Sequence, residues 1–283
     1  MNLKDKIAVI TGAGSGIGRA TALRLAREGV HVHVVDIDAE RAEQVATEVH
    51  ATGRNAWSHA VDCSKHEAIM ALADAVYAES GRVDILHNNA GIGHAALAHE
   101  TRIEDWERVI GINLWGTIYG IHTFVPRMIA QGSGGHIVNT SSGLGLIAVP
   151  GMAPYCATKF AVVGISESIR AELEPHGIGV TVVCPGLIQT DIVRASPVTG
   201  AAEAQREKTM ELYAKHGATA ESVADDIVTG IQKNKAVVTS PASHVMPVWA
   251  LKRLSVDAYQ SVAKHVGKRV LGVDATDALQ QPS

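Results

Sequence analysis

The stretch from Lys6 to Gly18 constrains the fold more than any other. Lys6 to Thr11 (KIAVIT) is a short β-branched run that enters Gly12-Ala13-Gly14-Ser15-Gly16-Ile17-Gly18, and Arg19 to Glu28 follows with the apolar spacing of an amphipathic helix. A strand that turns through glycines into a helix leaves free N–H groups and the positive end of the helix dipole at the turn. Glycines there let an anion such as a pyrophosphate reach the backbone. The spacing is TGxxxGxG and not GxGxxG, because Ile17 and Arg19 stand where the last glycine would fall in either register.

The same alternation continues down the chain. A second strand, His31 to Val35, ends at Asp36, and after it come a helix over 39–52, a strand over 56–61 ending in Asp62, a helix over 65–80 and a strand over 83–88. Strands separated by single helices pair in parallel with right-handed crossovers, which gives an α/β fold: a doubly wound parallel sheet with helices on both faces. Ligands then sit at the C-terminal strand ends. The informative residues fall there: Asp36, Asp62 and Asn88-Asn89-Ala90-Gly91. A carboxylate at Asp36 can accept from adenosine ribose hydroxyls and repels a 2′-phosphate, and Ile37 follows it in place of Arg or Lys, so NAD is favoured over NADP. The competing expectation is that Asp36 only caps the helix beginning near Asp38, and Asp62 has a similar capping alternative.

A helix over 103–130 places Asn113 among Ile110, Ile112 and Leu114, where an amide needs a specific hydrogen-bond partner. The next strand, 135–140, delivers Ser141 and Ser142 to the same edge, and another over 179–183 runs into Pro185-Gly186-Leu187-Ile188-Gln189-Thr190. Pro154 suits the first turn of a helix that carries Tyr155 and Lys159 four residues apart on one face. A free phenol titrates near pH 10. A fixed ammonium beside it favours the phenolate and makes proton transfer accessible.

Composition excludes several functions. The formal net charge is -4 and no long basic run precedes the C-terminal tail, which argues against nucleic acid and for a small-molecule substrate. Cys63, Cys156 and Cys184 are widely spaced with no CxxC pair, and the 14 histidines are scattered without an HExxH, so neither a disulfide framework nor a metal site is expected. Charges occupy the first six residues where a signal peptide needs its apolar core, and apolar stretches are broken before the roughly 20 residues of a membrane span. A cytoplasmic protein is expected.

TGAGSGIG at 11–18, NNAG at 88–91, Asn113, Ser142, YCATK at 155–159 and PGLIQT at 185–190 together resemble the classical short-chain dehydrogenase/reductase family over residues 6 to about 191. The resemblance implies a Rossmann-like, seven-stranded sheet and a homotetramer or homodimer built on the helices of Asn113 and Tyr155. By the same resemblance Tyr155 is the catalytic acid/base, and Lys159 lowers its pKa and holds the nicotinamide ribose. Ser142 orients and polarises the substrate oxygen, and Asn113 positions a water. For the cofactor it implies Gly12, Ser15, Gly16, Ile17 and Gly18 at the pyrophosphate, Asp36 at the ribose, and Asp62 with Cys63 at the adenine. Asn89, Ala90 and Gly91 would line its middle, with Pro185, Gly186, Ile188 and Thr190 at the carboxamide end. The activity implied is hydride transfer between NAD and a hydrophobic secondary alcohol or its ketone. An NADP-dependent 3-ketoacyl reductase and a catalytically silent NAD-binding sensor are the alternatives.

The family places a variable substrate lid at 195–216, where 201–215 has amphipathic helical spacing and Met210, Leu212 and Tyr213 are candidates to line an apolar pocket with Leu144, Ile147, Val149 and Met152. The catalytic domain is expected over 1–240, with 241–283 a helical extension whose stripe Leu251, Leu254, Ala258, Val262 and Val266 is flanked by lysines and arginines. Such a stripe also suits a membrane surface, although packing on its own domain or on a sister subunit is the commoner use. A frayed end is expected over 274–283.

Overall fold

The computed structural model describes residues 1–190 and 200–271, with Ile192, Ser196 and Val198 between them. Seven strands, β1 (Ile7–Thr11), β2 (His31–Asp36), β3 (Ala56–Ala60), β4 (Ile85–Asn88), β5 (Gly135–Thr140), β6 (Ile178–Pro185) and β7 (Val237–Ser240), form one sheet in the order β3-β2-β1-β4-β5-β6-β7. Every pairing is parallel. The chain reverses its direction of travel across the sheet between β1 and β4, and that seam is where an open α/β sheet leaves a crevice.

Helices cover both faces, as the near-continuous apolar strands demand. On one face α1 (Gly16–Arg27), α2 (Ala39–His50) and α8 (Ala220–Gln232) cover Ala8, Ile10, Val32 and Val34 with Leu25, Val45, Val49, Ile227 and Ile231. On the other, α3 (His66–Ser80) and α5 (Gly116–Gln131) pack Ile69, Leu72, Val76, Phe124 and Met128 against Val9, Leu86 and Ile137. The helix expected over 103–130 is interrupted: α4 (Ile103–Ile110) passes through a π turn at Gly111–Trp115 before α5 begins. α6 (Ala153–Leu173) starts with Pro154 in its first turn. α1 begins at Gly16, three residues before the expected start.

The segment expected to form the lid contributes a 3-10 turn at Gly200–Gln205 and α7 (Arg206–His216). Its remaining positions between 191 and 199 lie outside the described residues. After β7 the chain forms α9 (Ala242–Leu254) and α10 (Val256–Leu271), separated at Ser255. This break changes which face is covered. Val245, Tyr259 and Ala263 are buried, whereas Leu254 is 86% exposed and Val262 37%, so the stripe expected from one continuous period does not form the packed face. Val266 has no described side chain, and 274–283 lies outside the described residues. Among the described residues no helix is long and apolar enough to cross a membrane.

β4 and β5 carry two fully buried imidazoles, His87 and His136, whose Nε2 atoms bond Thr140 Oγ1 at 2.8 Å and Thr181 Oγ1 at 2.8 Å. Burial holds both rings down to about 3 from an ordinary 6.5. The unfolded chain therefore takes up protons that the folded chain refuses. Their contribution to stability is complete above about pH 6.5 and is lost progressively as pH falls toward about 3. The urea midpoint should fall as pH is lowered from about 7 toward about 4, and His136→Gln should make that decline shallower; an unchanged slope would count against the buried ring as its source.

Candidate active site

The tips of β1, β4 and β5 meet at the seam, and a polar lattice fixes their relative positions. Thr11 Oγ1 accepts from the N–H groups of Asn89 at 2.9 Å and Ala90 at 3.0 Å. Asn89 Nδ2 answers by donating to the Thr11 carbonyl at 3.0 Å and the Gly12 carbonyl at 3.2 Å. Thr140 Oγ1, at the tip of β5, donates to Asn89 Oδ1 at 3.2 Å and so accepts from His87 Nε2. One row below, Asn88 Nδ2 donates to Asn139 Oδ1 at 2.9 Å, and Asn139 Nδ2 donates to Ser166 Oγ on α6 at 3.0 Å. Sequence reasoning missed Thr11, His87, Asn139 and Thr140. Their signal was only a polar residue near the end of an apolar strand.

The glycine turn is as tight as its composition requires. Gly12 and Gly16 have φ of +63° and +51°, in the region that favours glycine, and a Cβ on Gly12 would stand 2.8 Å from Ala90 Cα. A Cβ on Gly18 would collide with the Gly12 carbonyl. Ser15 occupies the α1 N-cap without bonding the helix amides, and no acidic residue lies in the first turn. Those amides and Ser15 Oγ fit a pyrophosphate, with Ile17 packed beneath on the apolar cluster.

Asp36 ends β2 beside this turn. Its Oδ2 accepts from Gly14 N–H at 2.9 Å and its Oδ1 from Asp38 N–H at 3.1 Å, whereas Asp38 itself caps α2 through Glu40 and Arg41 N–H. Asp36 is thus not the helix cap; it holds the glycine turn and keeps lone pairs for a ribose. Asp62 Oδ1 accepts from Ser64 N–H at 2.9 Å in a turn that precedes α3, whose N-cap is Lys65. Cys63 is buried, and burial pushes its thiol up to about 12.

The π turn buries Asn113 at 1% exposure and gives its amide the partners expected of it. Asn113 Oδ1 accepts from Ile92 N–H at 2.8 Å, and Nδ2 donates to the Ile92 carbonyl at 2.9 Å and to Thr158 Oγ1 at 3.3 Å. The stretch after β4 is thereby tied to α6. Gly91 completes the contact: a Cβ there would lie 3.3 Å from Asn113 Oδ1 and 3.5 Å from Lys159 Nζ.

Tyr155 and Lys159 share the inner face of α6 with Ser142 opposite. Lys159 Nζ lies 5.5 Å from the Tyr155 ring centroid and donates to the Thr140 carbonyl at 2.9 Å. Ser141 Oγ donates to the Lys159 carbonyl at 2.7 Å and locks α6 to the end of β5. Ser142 Oγ accepts from Leu144 N–H at 3.1 Å and hydrogen-bonds the Tyr155 phenol. Burial pushes that phenol well above its ordinary value; the Ser142 bond pulls it back, and Tyr213 of α7 faces it closely enough to oppose ionisation. Burial also lowers the Lys159 ammonium to about 8. In this arrangement desolvation outweighs the ammonium's expected effect on the phenol.

Pro185 ends β6, Gly186 N–H donates to the Ser240 carbonyl at 2.9 Å, and Ile188 is buried with a parallel bridge to Ala218. Thr190 returns to the glycine turn, where its Cγ2 would lie 3.3 Å from a Cβ on Gly16. A cavity of about 470 Å³ opens there, lined by Gly16, Arg19, Thr190, Met210, Tyr213 and Thr219 among others. Leu212, expected to line such a pocket, is 40% exposed. On the other flank the C-terminal helices hold the segment after Ser142. Tyr259 Oη accepts from Ala148 N–H at 2.6 Å and donates to the Ala148 carbonyl, and Lys252 Nζ donates to the Leu146 carbonyl at 2.8 Å.

A family model described as short chain dehydrogenase matches residues 6–200. Among curated proteins, the "Probable oxidoreductase EphD" of Mycobacterium tuberculosis (strain ATCC 25618 / H37Rv) is 37% identical over 266 residues, covering 92% of this chain and 45% of that protein. The chain thus spans about half the length of that relative. The "Cyclohexanol dehydrogenase" of Acinetobacter sp. (strain SE19) is 40% identical over 190 residues, 67% of this chain and 75% of that one. Among solved structures, a short chain dehydrogenase/reductase from Burkholderia phymatum in complex with NAD superposes with a TM-score of 0.86 at 30% identity, covering 91% of this chain and 96% of that one.

Asn113→Leu removes the one side chain that, among the described residues, hydrogen-bonds both backbone groups of Ile92, and each buried polar group left unpaired costs about 1–3 kcal/mol. Urea unfolding should report a loss of about 2–4 kcal/mol for this variant. A change below about 0.5 kcal/mol would mean that the tie contributes little.

Proposed function

The chain belongs to the short-chain dehydrogenase/reductase family, and from that membership we propose that it is an NAD-dependent oxidoreductase that transfers a hydride between a hydrophobic secondary alcohol, or its ketone, and the nicotinamide. The observation that supports this most is the burial of Ser142, Tyr155 and Lys159 together at the strand-tip crevice, beside a glycine turn fitted to a pyrophosphate. Supporting the choice of substrate is the resemblance to a cyclohexanol dehydrogenase.

In the oxidising direction the substrate hydroxyl lies between Ser142 Oγ and the Tyr155 oxygen. Ser142 orients it, and the Tyr155 phenolate accepts its proton. NAD held in this crevice would supply the hydride acceptor for the carbinol carbon, and its positive ring would favour the phenolate. Lys159 offers an ammonium to the ribose and to the phenolate once that charge forms. Asn113 acts as a positioning residue through Ile92 and Thr158, since its amide is committed to them. Asp36 selects against a 2′-phosphate. Residues 1–240 serve as the catalytic domain with 195–216 as its lid. The extension from 241 braces the loop after Ser142 through Tyr259 and Lys252. We further propose a cytoplasmic homotetramer or homodimer built on the Asn113 and Tyr155 helices, supported by Trp115 at 46% exposure, stacked on Tyr119 beside Asn113.

Following reduced-cofactor absorbance over a panel of cyclic and linear secondary alcohols should give turnover with NAD that rises with pH, because the buried phenol must lose its proton. Tyr155→Phe should cut kcat by at least about 10³-fold while NAD affinity stays within about threefold. Turnover retained by the phenylalanine variant would defeat the acid/base assignment, and NAD binding without turnover of any alcohol would favour a sensor.

The carboxylate assignment has its own readout. Wild-type protein should bind NAD more tightly than NADP in a direct titration, and Asp36→Ser should narrow the gap by about tenfold or more as the charge that repels the 2′-phosphate is removed. NADP binding more tightly to the wild type would overturn the assignment.

A further inference from the structure

β2 and β3 bring two histidines together at the sheet edge remote from Tyr155. His33 is completely buried, and its Nδ1 lies 2.9 Å from His59 Nε2 on the neighbouring strand. Near the C-terminal end of α3, Glu79 Oε2 lies 3.6 Å from His33 Nδ1 and 3.8 Å from His59 Nε2. Among the described residues this is the one group of three histidine, cysteine or acidic side chains whose ligand atoms all lie within 4.8 Å of one another. From these observations we propose that His33, His59 and Glu79 form a zinc site that staples the edge strand to its neighbour and to α3.

Three features carry the assignment. The first is size: the three ligand atoms stand 2.9, 3.6 and 3.8 Å apart, around the roughly 3.3 Å edge of a tetrahedron with zinc–ligand bonds of about 2.0 Å, so an ion seated above their plane needs only small shifts of the two rings and the carboxylate. The second is the outer support. His33 Nε2 lies 2.7 Å from Ser80 Oγ, and a proton on Nε2 donated to that hydroxyl leaves Nδ1, which faces His59 Nε2, with a free lone pair. Trp57 stacks on the same ring at 4.4 Å and 11°, fixing its plane. The third is access. The side chains of His33, His59 and Glu79 are 0%, 12% and 39% exposed, so the group opens toward solvent on the Glu79 side, where water can enter as a fourth ligand.

Two nitrogens and one oxygen suit Zn²⁺, whereas Mg²⁺ and Ca²⁺ require oxygen-rich sets. The bound ion replaces the proton between the two rings, and His59 then keeps its proton on Nδ1, so both imidazoles remain neutral. The site lies four residues or fewer from Asp36 and Asp62 along their strands, so the ion would set the positions of the two tips that flank the expected adenosine pocket.

The test uses the whole chain stripped by chelation and titrated with Co²⁺ as a spectroscopic stand-in and with Zn²⁺ alone. One Co²⁺ per chain with the visible bands of a tetrahedral N/O site is expected, and Zn²⁺ at about a hundredfold excess over Kd should raise Tm by about 5 °C. Glu79→Gln and His59→Asn change partly exposed positions, and each should abolish the bands and the Tm rise. Ser80→Ala should weaken Co²⁺ binding by about tenfold or more. Absence of the tetrahedral spectrum in the wild type, or its persistence in both ligand variants, would overturn the site.

Discussion

The seam between β1 and β4 is the constraint on which the rest depends. Parallel strands have no turn to set their register, so side chains must do it, and here one hydroxyl and one amide carry much of that task. Thr11 Oγ1 takes two backbone N–H groups from the β4 tip, and Asn89 returns two bonds to the β1 tip. The glycine turn must leave β1 at one angle for α1 to present its amides to the crevice. Because that turn departs immediately after Thr11, any slip at the seam would displace the Gly12–Gly18 segment and the Asn89–Gly91 segment together. Thr140 and His87 extend the lock to β5, the strand that delivers Ser142 and anchors Lys159.

This rigidity is bought with buried polarity. A lysine at 3% exposure and an asparagine at 1% each lose hydration and are tolerated because named partners replace it. Lys159 shows the balance most plainly: one carbonyl at 2.9 Å replaces its water, and its pKa still falls to about 8. A site assembled for packing alone would have used apolar residues at these positions.

The order of the first six strands and of the helices between them was legible because each apolar run has a length and period of its own, and Gly135–Thr140 was bounded correctly from sequence, whereas α8 and β7 were not read from the residues. The glycine turn, Asp36 and the Asn89–Gly91 tip were legible because strand ends in such a sheet are where polar residues need a reason. What stayed hidden depends on side-chain contact between distant segments. The π turn around Asn113 leaves no periodic signature in a helix of that length, and Tyr259 meets Ala148 across 111 residues of sequence. The tail's buried face could not be read because Ser255 breaks the helix and resets its phase. The pairing of His33 with His59 was hidden for a similar reason: it requires the β2–β3 register, which no local pattern of either strand contains.

The electrostatics of α6 suggest why the same burial that fixes the site does not leave it permanently ionised. Burial raises the Tyr155 phenol and lowers the Lys159 ammonium, moving each away from its charged form. Left to themselves, the two groups stand as a neutral phenol and a reluctant cation, one held by Ser142 and the other by the Thr140 carbonyl. A further positive charge in the crevice would tip the phenol toward ionisation, and the new phenolate would in turn raise the ammonium's affinity for its proton. Each charge then stabilises the other in a poorly solvated space, where Coulomb terms are larger than in water. Coupling of this kind makes proton transfer conditional on what occupies the crevice, a condition that neither residue could impose from the protein surface.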